Sequence, residues 1–332
     1  MSPKDVNDEQ GMSREWHYHP DLPIQVTPVF DWPPRPAAAL AWLANALLSI
    51  AFGVGLIGLA TLVYVVAHPD PAAMTVLSLD WAWQIWARNV ALMLVVAGGL
   101  HIWLYHLRGQ GKRLKYDHRE PGRSGQFTFG NQVLDNMFWS LASGVTLWSA
   151  AEVLLYWAQA NGWAPGVTFE GNPVWFVLWF VLIPLWSSMH FYWVHRLLHW
   201  PPLYRLAHSL HHRNVNVGPW SGISMHPIEH ALFYTNFLIH LVVPSHPVHV
   251  MFHAYFQSLG PIFSHSGFDA LWVRDRRRMK MGSFFHQLHH RYFECNYGTI
   301  DMPWDRWFGT FHDGRPTCTE MVRERRKRMM GR

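Results

Sequence analysis

The chain has 332 residues, of which 50% are hydrophobic and only 15% are charged, and it contains 20 tryptophans. This composition is typical of a membrane protein with sizeable aqueous parts, and the lack of a C-x-x-C pair among its two cysteines argues against a disulfide framework or a cysteine-ligated cluster. The formal charge of +5 is modest, and the basic runs do not interleave with aromatic residues as in a nucleic-acid-binding groove, so no nucleic-acid partner is expected.

The first 36 residues are polar and rich in proline, without the short apolar core of a signal peptide. We predict that residues 1–36 form an irregular cytoplasmic tail against the membrane surface. Trp16 and Trp32 are its predicted anchors at the interface.

Four apolar segments follow, each long enough to cross a bilayer, which takes about 20 residues. They cover approximately residues 37–67, 82–107, 133–160 and 173–195. Arg88 lies near the start of the second segment, where it can snorkel to the interface. Glu152 in the third segment is interpreted as a hydrogen-bonding residue of the bundle interior or a residue near the far interface, not as a catalytic acid.

The loops between these segments differ in charge. The loop 108–131 and the chain beyond His195 are basic, whereas the other two loops contain neither Lys nor Arg. By the positive-inside rule, both termini, this basic loop and the histidine-rich region face the cytoplasm.

Two further apolar stretches, Ala231–Val243 and Val248–Phe263, are short for full spans. They form either a re-entrant hairpin that dips into the membrane or helices packed beside the site. The predicted fold is therefore an all-α integral membrane protein with about four transmembrane helices and a cytoplasmic histidine-rich helical cap. The predicted divisions are a tail (1–36), the first three spans with their basic loop (37–177), a catalytic region (178–313) and a solvated basic tail (314–332).

Histidine is the residue around which the chain is organised, because 16 of its 23 histidines lie between His190 and His290. Residues three and four apart project from the same face of a helix, so each histidine cluster can direct several imidazoles to one point. The clusters are His195 with His199, then His208, His211 and His212, and finally His286, His289 and His290. Imidazole is a common ligand for transition metals, so the pattern predicts a metal site.

Three kinds of metal site compete at this point. A structural zinc ion needs only four ligands, and a haem between helices needs one axial histidine from each side. Two metals that share a histidine-rich shell use the full set, and a redox-active pair at the cytoplasmic end of a membrane bundle suggests oxygen chemistry on a lipid. Iron fits such a site, although the ligand type does not exclude zinc, copper or manganese.

The order H-x3-H, H-x2-H-H, H-x2-H-H resembles the fatty acid hydroxylase/sterol desaturase superfamily of integral-membrane non-haem di-iron enzymes. Further segments resemble that family in the same order: His226-Pro-Ile-Glu-His230, Ser264-His-Ser-Gly-Phe268, Asn296-Tyr-Gly298 and Trp304-Asp-Arg-Trp-Phe-Gly309. The resemblance implies two irons, held by the eight clustered histidines and by His226 and His265. His230, His249 and His253 stay open as further candidates.

The resemblance also implies an enzyme that uses O2 to hydroxylate or desaturate an unactivated C–H position of a lipid, and two motifs favour its sterol-oxidising branch. Asp269, Glu229, Glu294 and Asp301 are candidate partners that orient the ligands. Because the chain has no dinucleotide fingerprint or cysteine cluster, a separate ferredoxin or cytochrome-type donor with its reductase is implied. The basic run Arg274–Lys280 is a candidate docking face for it.

Two other functions compete with this interpretation. The first is a membrane metal-binding or metal-transport protein, which predicts ligands spread along the spans. The second is a catalytically silent scaffold, against which the intact clusters argue.

Overall fold

The computed structural model describes residues 16–45 and 47–330, and this part of the chain is mainly helical. The numbered helices are α1 (Pro36–Asn45), α2 (Leu47–Ala67), α3 (Leu79–His106), α4 (Gln132–Ala160), α5 (Pro173–Leu198), α6 (Pro227–Tyr234), α7 (Pro247–Ser264), α8 (Phe284–Tyr292), the short α9 (Trp304–Trp307) and α10 (Pro316–Met330). Short helical turns at Pro201–Leu203, Tyr204–His208 and Ser209–His212 follow α5, and a 3-10 stretch, Thr235–Leu241, follows α6. Strands β1 (Ala270–Val273) and β2 (Arg276–Lys280) form an antiparallel hairpin, which the all-α prediction did not include.

Three helices, α3, α4 and α5, are long and apolar enough to cross a membrane. They coincide with three of the four predicted spans, and they confirm the predicted class of integral membrane protein. Residues 51–67 form a shorter apolar helix within the described part of the first predicted segment. Its crossing of the membrane, and hence the count of four, stays a prediction.

Helix α7 occupies the centre of the bundle and packs against α2, α4 and α5. It begins at Pro247, because proline suits the first helical position, and the preceding His246 side chain accepts a hydrogen bond from the Val248 amide. Phe252 and Tyr255 are fully buried on this helix. The second apolar stretch is thus a helix enclosed by protein that ends next to His265, which agrees with the alternative of helices packed beside the site.

Arg88 and Glu152 form a buried ion pair between α3 and α4, so the snorkelling prediction for Arg88 is wrong. Glu152 is fully buried, and it also accepts hydrogen bonds from Asn89 (3.1 Å) and Tyr156 (3.0 Å). Buried charges in an apolar bundle persist where they are paired and hydrogen bonded. Glu152 therefore belongs to the bundle interior, one of its two predicted settings.

The described part of the predicted tail begins at Trp16, which packs on the histidine-rich cap, and residues 1–15 lie outside the described residues. Trp16 is only 4% exposed, contacts Phe284 edge-on at 5.1 Å, and lies 4.4 Å from the Arg291 guanidinium. The predicted role of Trp16 as an interface anchor is therefore wrong, since the indole joins a protein core. Trp32 remains 90% exposed.

The basic C-terminal segment is helical and takes part in the same core. Val322 of α10 is buried in a cluster with Trp16, Phe284 and Leu288. The run Arg323–Arg328 continues this helix. The segment predicted as a solvated tail thus covers one side of the cap, with its charges on the outer surface.

Candidate metal centre

The histidine-rich cap lies at the end of the bundle where α5 ends. It brings together the end of α5, the helical turns of residues 201–212 and helix α8. His195 and His199 are four residues apart at the end of α5, so they share one face. Helix α8 starts where the Ser283 hydroxyl accepts a hydrogen bond from the His286 amide, at 3.2 Å. The Ser283 N-cap fixes the start of α8, whose His289 lies beside His195 and His199 and whose His286 and His290 lie beside His265.

The first histidine group combines all three segments. It consists of His195, His199, His208, His212 and His289, whose potential ligand nitrogens all lie within 4.8 Å of one another. The Nε2 atoms of His212 and His289 are 3.0 Å apart. The side chain of His199 is 3% exposed, and the other four residues of the group are buried.

The second histidine group lies beside the first and adds a residue from the end of α7. It consists of His211, His265, His286 and His290, again with ligand nitrogens within 4.8 Å of one another, and all four are buried. The Nε2 of His265 is 3.1 Å from the Nε2 atoms of both His286 and His290. Rings from the two groups are also neighbours, since the centroids of His211 and His212 are 5.8 Å apart.

Backbone carbonyls orient several of these imidazoles from behind. The Nδ1 atoms of His195 and His289 donate to the carbonyls of Tyr297 and Cys295, both at 2.6 Å. His265 Nδ1 donates to the Pro261 carbonyl at 2.9 Å. Because a carbonyl oxygen can only accept, Nδ1 carries the proton in each ring, and Nε2 of the neutral ring presents its lone pair to the group.

Some of the other ring nitrogens in the two groups have no hydrogen-bond partner in the described structure. The Nε2 atoms of His199 and His208 and the Nδ1 atoms of His212 and His290 are buried without a hydrogen bond in the described structure. Unpaired polar atoms are costly in a protein interior. A cation in each group would give partners to the unpaired nitrogens that face it, so these residues fit a pair of metal ions.

Burial also keeps the imidazoles in the form that binds metals. It lowers the pKa of His211 to about 4, and it lowers the pKa values of His286, His289 and His290 well below 6.5. These rings are therefore neutral near pH 7, with a lone pair available for a metal.

Both groups lie within a segment that matches a known family. The model of the fatty acid hydroxylase family matches residues 180–310. Residues 180–310 are a fatty acid hydroxylase domain. This agrees with the resemblance carried by the histidine spacing.

Curated relatives add detail to that assignment. The chain is 31% identical over 125 residues to a Delta(7)-sterol 5(6)-desaturase of Candida albicans, in an alignment that covers 37% of this chain and 31% of the relative. It is 32% identical over 146 residues to a methylsterol monooxygenase of Aspergillus fumigatus, covering 39% of this chain and 45% of the relative. The chain thus spans about a third to under a half of the length of these relatives, and no solved structure matches it.

Nine of the ten predicted ligands in the fatty acid hydroxylase domain fall into the two groups, and His226 lies outside both. His226 is partly exposed and precedes α6, where its Nδ1 accepts a hydrogen bond from the Ile228 amide at 3.2 Å. Its motif is that of the family, but the geometry gives it the role of a helix cap. A ligand role for His226 stays a prediction.

The three open candidates of the same domain also lie outside the groups. His230 bonds to the Ser143 hydroxyl (2.9 Å) and the Ile223 carbonyl (3.0 Å). His249 bonds to the Phe176 carbonyl at 2.8 Å and to the His246 amide at 2.9 Å. Both nitrogens of His253 are likewise hydrogen bonded, to Ser187 at 2.9 Å and to His240 at 3.0 Å.

Two of the four candidate carboxylates approach the groups. Glu229 Oε1 is 2.7 Å from His208 Nδ1, and Glu294 Oε1 is 3.9 Å from His199 Nδ1. The other carboxylate oxygen of Glu294, Oε2, accepts a hydrogen bond from the Tyr297 hydroxyl. Asp269 instead contacts Tyr116, and Asp301 is exposed. The sequence gives no signal for the orienting carbonyls of Tyr297 and Cys295, because every residue has one.

Proposed function

We propose that this chain is a membrane-bound, O2-dependent di-iron oxygenase that hydroxylates or desaturates an unactivated C–H position of a lipid of sterol or fatty-acyl type. One observation carries the proposal, namely that nine histidines form two adjacent buried groups in a fatty acid hydroxylase domain. A single structural zinc would need only four ligands.

The first iron would be held by His195, His199, His208, His212 and His289, and the second by His211, His265, His286 and His290. Both groups consist of histidine alone, a ligand type that iron accepts. His211 and His212 are adjacent in sequence but belong to different groups, as do His289 and His290. This alternation lets each H-x2-H-H cluster serve both metals.

Bound iron would supply the activation of O2 that removal of hydrogen from an unactivated carbon requires. The chain's own contribution is to orient the ligand imidazoles and to enclose the site. The carbonyls of Tyr297, Cys295 and Pro261 hold the Nδ1 protons, which keeps Nε2 directed to the metal. The buried setting limits the access of water, and the apolar bundle below it would present a lipid to the cap.

Electrons must come from a separate protein, either a ferredoxin or a cytochrome-type donor with its reductase. Residues Arg274–Arg278 are exposed around the hairpin turn. A cationic surface of this kind favours association with an acidic donor. The charge of the loops favours the cytoplasm as the side on which the termini, this surface and the histidine groups lie.

The relatives favour a sterol substrate, because one set acts as Delta(7)-sterol 5(6)-desaturases and another as a methylsterol monooxygenase. A metal transporter is less well supported. It needs ligands along a path through the bundle, whereas both described groups lie at the same end of α5.

Metal analysis of the full chain in detergent tests the proposal. We expect about two non-haem irons per parent chain, in line with the two groups, and loss of both from the double variant His211→Ala, His289→Ala. His106→Ala is the matched control, since this exposed histidine lies outside both groups.

Activity is tested with the iron-loaded parent, a reduced ferredoxin and membrane sterols under 18O2. Labelled alcohol or a new double bond, absent from the double variant, is the expected result. Iron in haem, or no firmly bound transition metal after growth with ample iron, would contradict the proposal.

A further inference from the structure

A cavity of about 1070 Å³ lies at the end of the bundle opposite the histidine groups. Its walls come from the last turns of α2 and α4, the first turn of α5 and the loops 68–74, 162–172 and 244–247. Trp175 on its wall and His195 of the first group are both on α5, separated by about 30 Å at 1.5 Å per residue. The cavity is therefore separate from the metal centre.

Two polar side chains of this cavity have unsatisfied hydrogen-bonding atoms. Both ring nitrogens of His68 are buried without a protein partner, and so is Oε1 of Gln159. The amide of Gln159 is oriented, because its Nε2 donates to the Ser245 carbonyl at 3.0 Å. Its Oε1 consequently needs a donor from outside the protein, and the His68 imidazole offers one donor and one acceptor.

The side chains whose rings contact His68 are aromatic. The rings of Tyr64 and Tyr156 lie with their centroids 4.9 Å from that of His68. Among the described residues that line the cavity, none is Lys, Arg, Asp or Glu. Such a lining does not suit a phosphate or carboxylate headgroup, which would need cationic partners.

The remaining walls suit an apolar body. Met74, Trp175 and Pro244 contribute carbon-rich surface. Sites for small molecules usually have volumes of about 300–1000 Å³ and combine apolar walls with a few polar groups that fix orientation. This cavity matches that description, with its polar groups at His68 and Gln159.

We propose that the cavity binds a neutral lipid with a hydroxyl head, of sterol size, at the end of the bundle remote from the metals. The hydroxyl donates to Gln159 Oε1 and accepts from His68, while the hydrocarbon body lies along Met74 and Trp175. The site requires no iron and does not depend on the proposed oxygenase function.

Photolabelling of the full chain in lipid nanodiscs tests this site. The probe is a cholesterol analogue with a diazirine on its side chain, and the comparison probe is its 3-O-methyl ether, which lacks the donor. The hydroxyl probe should label peptides around 64–74 and 159–175 saturably. The methyl ether should bind about tenfold more weakly, the usual effect of leaving one buried acceptor unpaired.

Three variants and two controls make the test specific. Gln159→Leu and His68→Phe should each weaken labelling about tenfold. Gly166→Phe should abolish it by filling the cavity, since a Cβ at Gly166 meets no atom within 4 Å. Gln84→Leu, at an exposed position near the start of α3, should leave labelling unchanged, as should the double variant His211→Ala, His289→Ala.

The unfolding temperature of each variant separates loss of the site from loss of the fold. If the Gly166→Phe protein unfolds at the same temperature as the parent and is photolabelled to the same extent, the proposal is overturned. Equal labelling by both probes would also overturn it, as would labelling confined to peptides of the histidine groups. If unlabelled cholesterol competes with the probe and 1-octadecanol does not, the cavity selects a lipid with a ring system. If both compete, the cavity accepts hydroxyl lipids in general.

Discussion

The cap and the bundle interior both contain buried histidines, and they use them in opposite ways. In the cap, carbonyls hold one nitrogen of His195, His265 and His289, and the other nitrogen faces further imidazoles. In the interior, both nitrogens of His230 and His253 bond to protein groups. The difference lies in the second nitrogen, not in the degree of burial.

This difference distinguishes a buried histidine that stabilises helix packing from one that can bind a metal. An interior imidazole with two hydrogen bonds is fully satisfied, so it stabilises the packing of helices that contribute its partners. An imidazole with one bond and an unpaired nitrogen pays a desolvation cost, which several such rings around one point can recover by binding a cation. Ligand histidines are therefore expected to be costly without metal.

The largest expected effect is the loss of metal when a ligand is removed from one of the two histidine groups. His199→Ala removes a member of the first group, and His265→Ala removes a member of the second. Each should lower metal content from about two to about one ion per chain or below, because a missing ligand leaves the group incomplete. Metal analysis of the purified variants checks this, and full retention of metal by both would contradict the assignment of the groups.

A smaller effect is expected where a carboxylate orients a ligand. Glu229→Ala leaves Nδ1 of His208 without its partner, and removal of such a partner typically weakens metal binding about 10–100-fold. Glu229→Gln should lose less, since an amide oxygen still accepts a hydrogen bond. Chelator competition measures the metal affinity, and Glu120→Ala, at an exposed acid, is the control.

An unchanged affinity in Glu229→Ala would show that His208 is oriented by its surroundings alone. A loss of the same size in Glu120→Ala would point to a general effect of net charge.

Much of the cap was predictable because the histidine spacing follows helical geometry. His195 and His199 are one turn apart, and the two H-x2-H-H clusters place imidazoles on neighbouring helical positions. Helical periodicity cannot show, however, that His211 and His212 belong to different groups. That division depends on how three segments pack, which is a tertiary property.

The limits of sequence reasoning were clearest where two partners are far apart along the chain. Arg88 near a helix start resembles a snorkelling residue until Glu152, 64 positions away, is seen to pair with it. Trp16 resembles an interface anchor until Phe284 and Arg291 enclose it. Local pattern identifies an amphipathic side chain, but only the fold decides whether lipid or protein covers its apolar part.

The interior histidines provide the reverse test, in which stability changes and metal content does not. His253→Leu removes the hydrogen bonds to Ser187 and His240, and it leaves both partners buried. We expect the free energy of unfolding to fall by about 1–2 kcal/mol, the cost of unsatisfied buried groups, at unchanged metal stoichiometry. Thermal unfolding and metal analysis of the same sample measure both quantities, with His106→Leu at an exposed site as the control. Loss of metal from His253→Leu alone would break the comparison between cap and interior.

The smallest expected effect concerns His226, where family pattern and geometry differ. The motif assigns a ligand, whereas the structure gives Nδ1 of His226 a hydrogen bond from the Ile228 amide at the start of α6. If capping the start of α6 is the main role of His226, His226→Ala should lower the free energy of unfolding by about 1 kcal/mol and leave metal content unchanged. His226→Asn should restore the stability, because asparagine is a good N-cap residue. If both variants instead lose metal, the histidine-rich region has an alternative arrangement in which His226 turns towards the histidine groups. In that case the motif is the better guide to the ligand set, because a cation would supply the free energy to break one exposed helix cap.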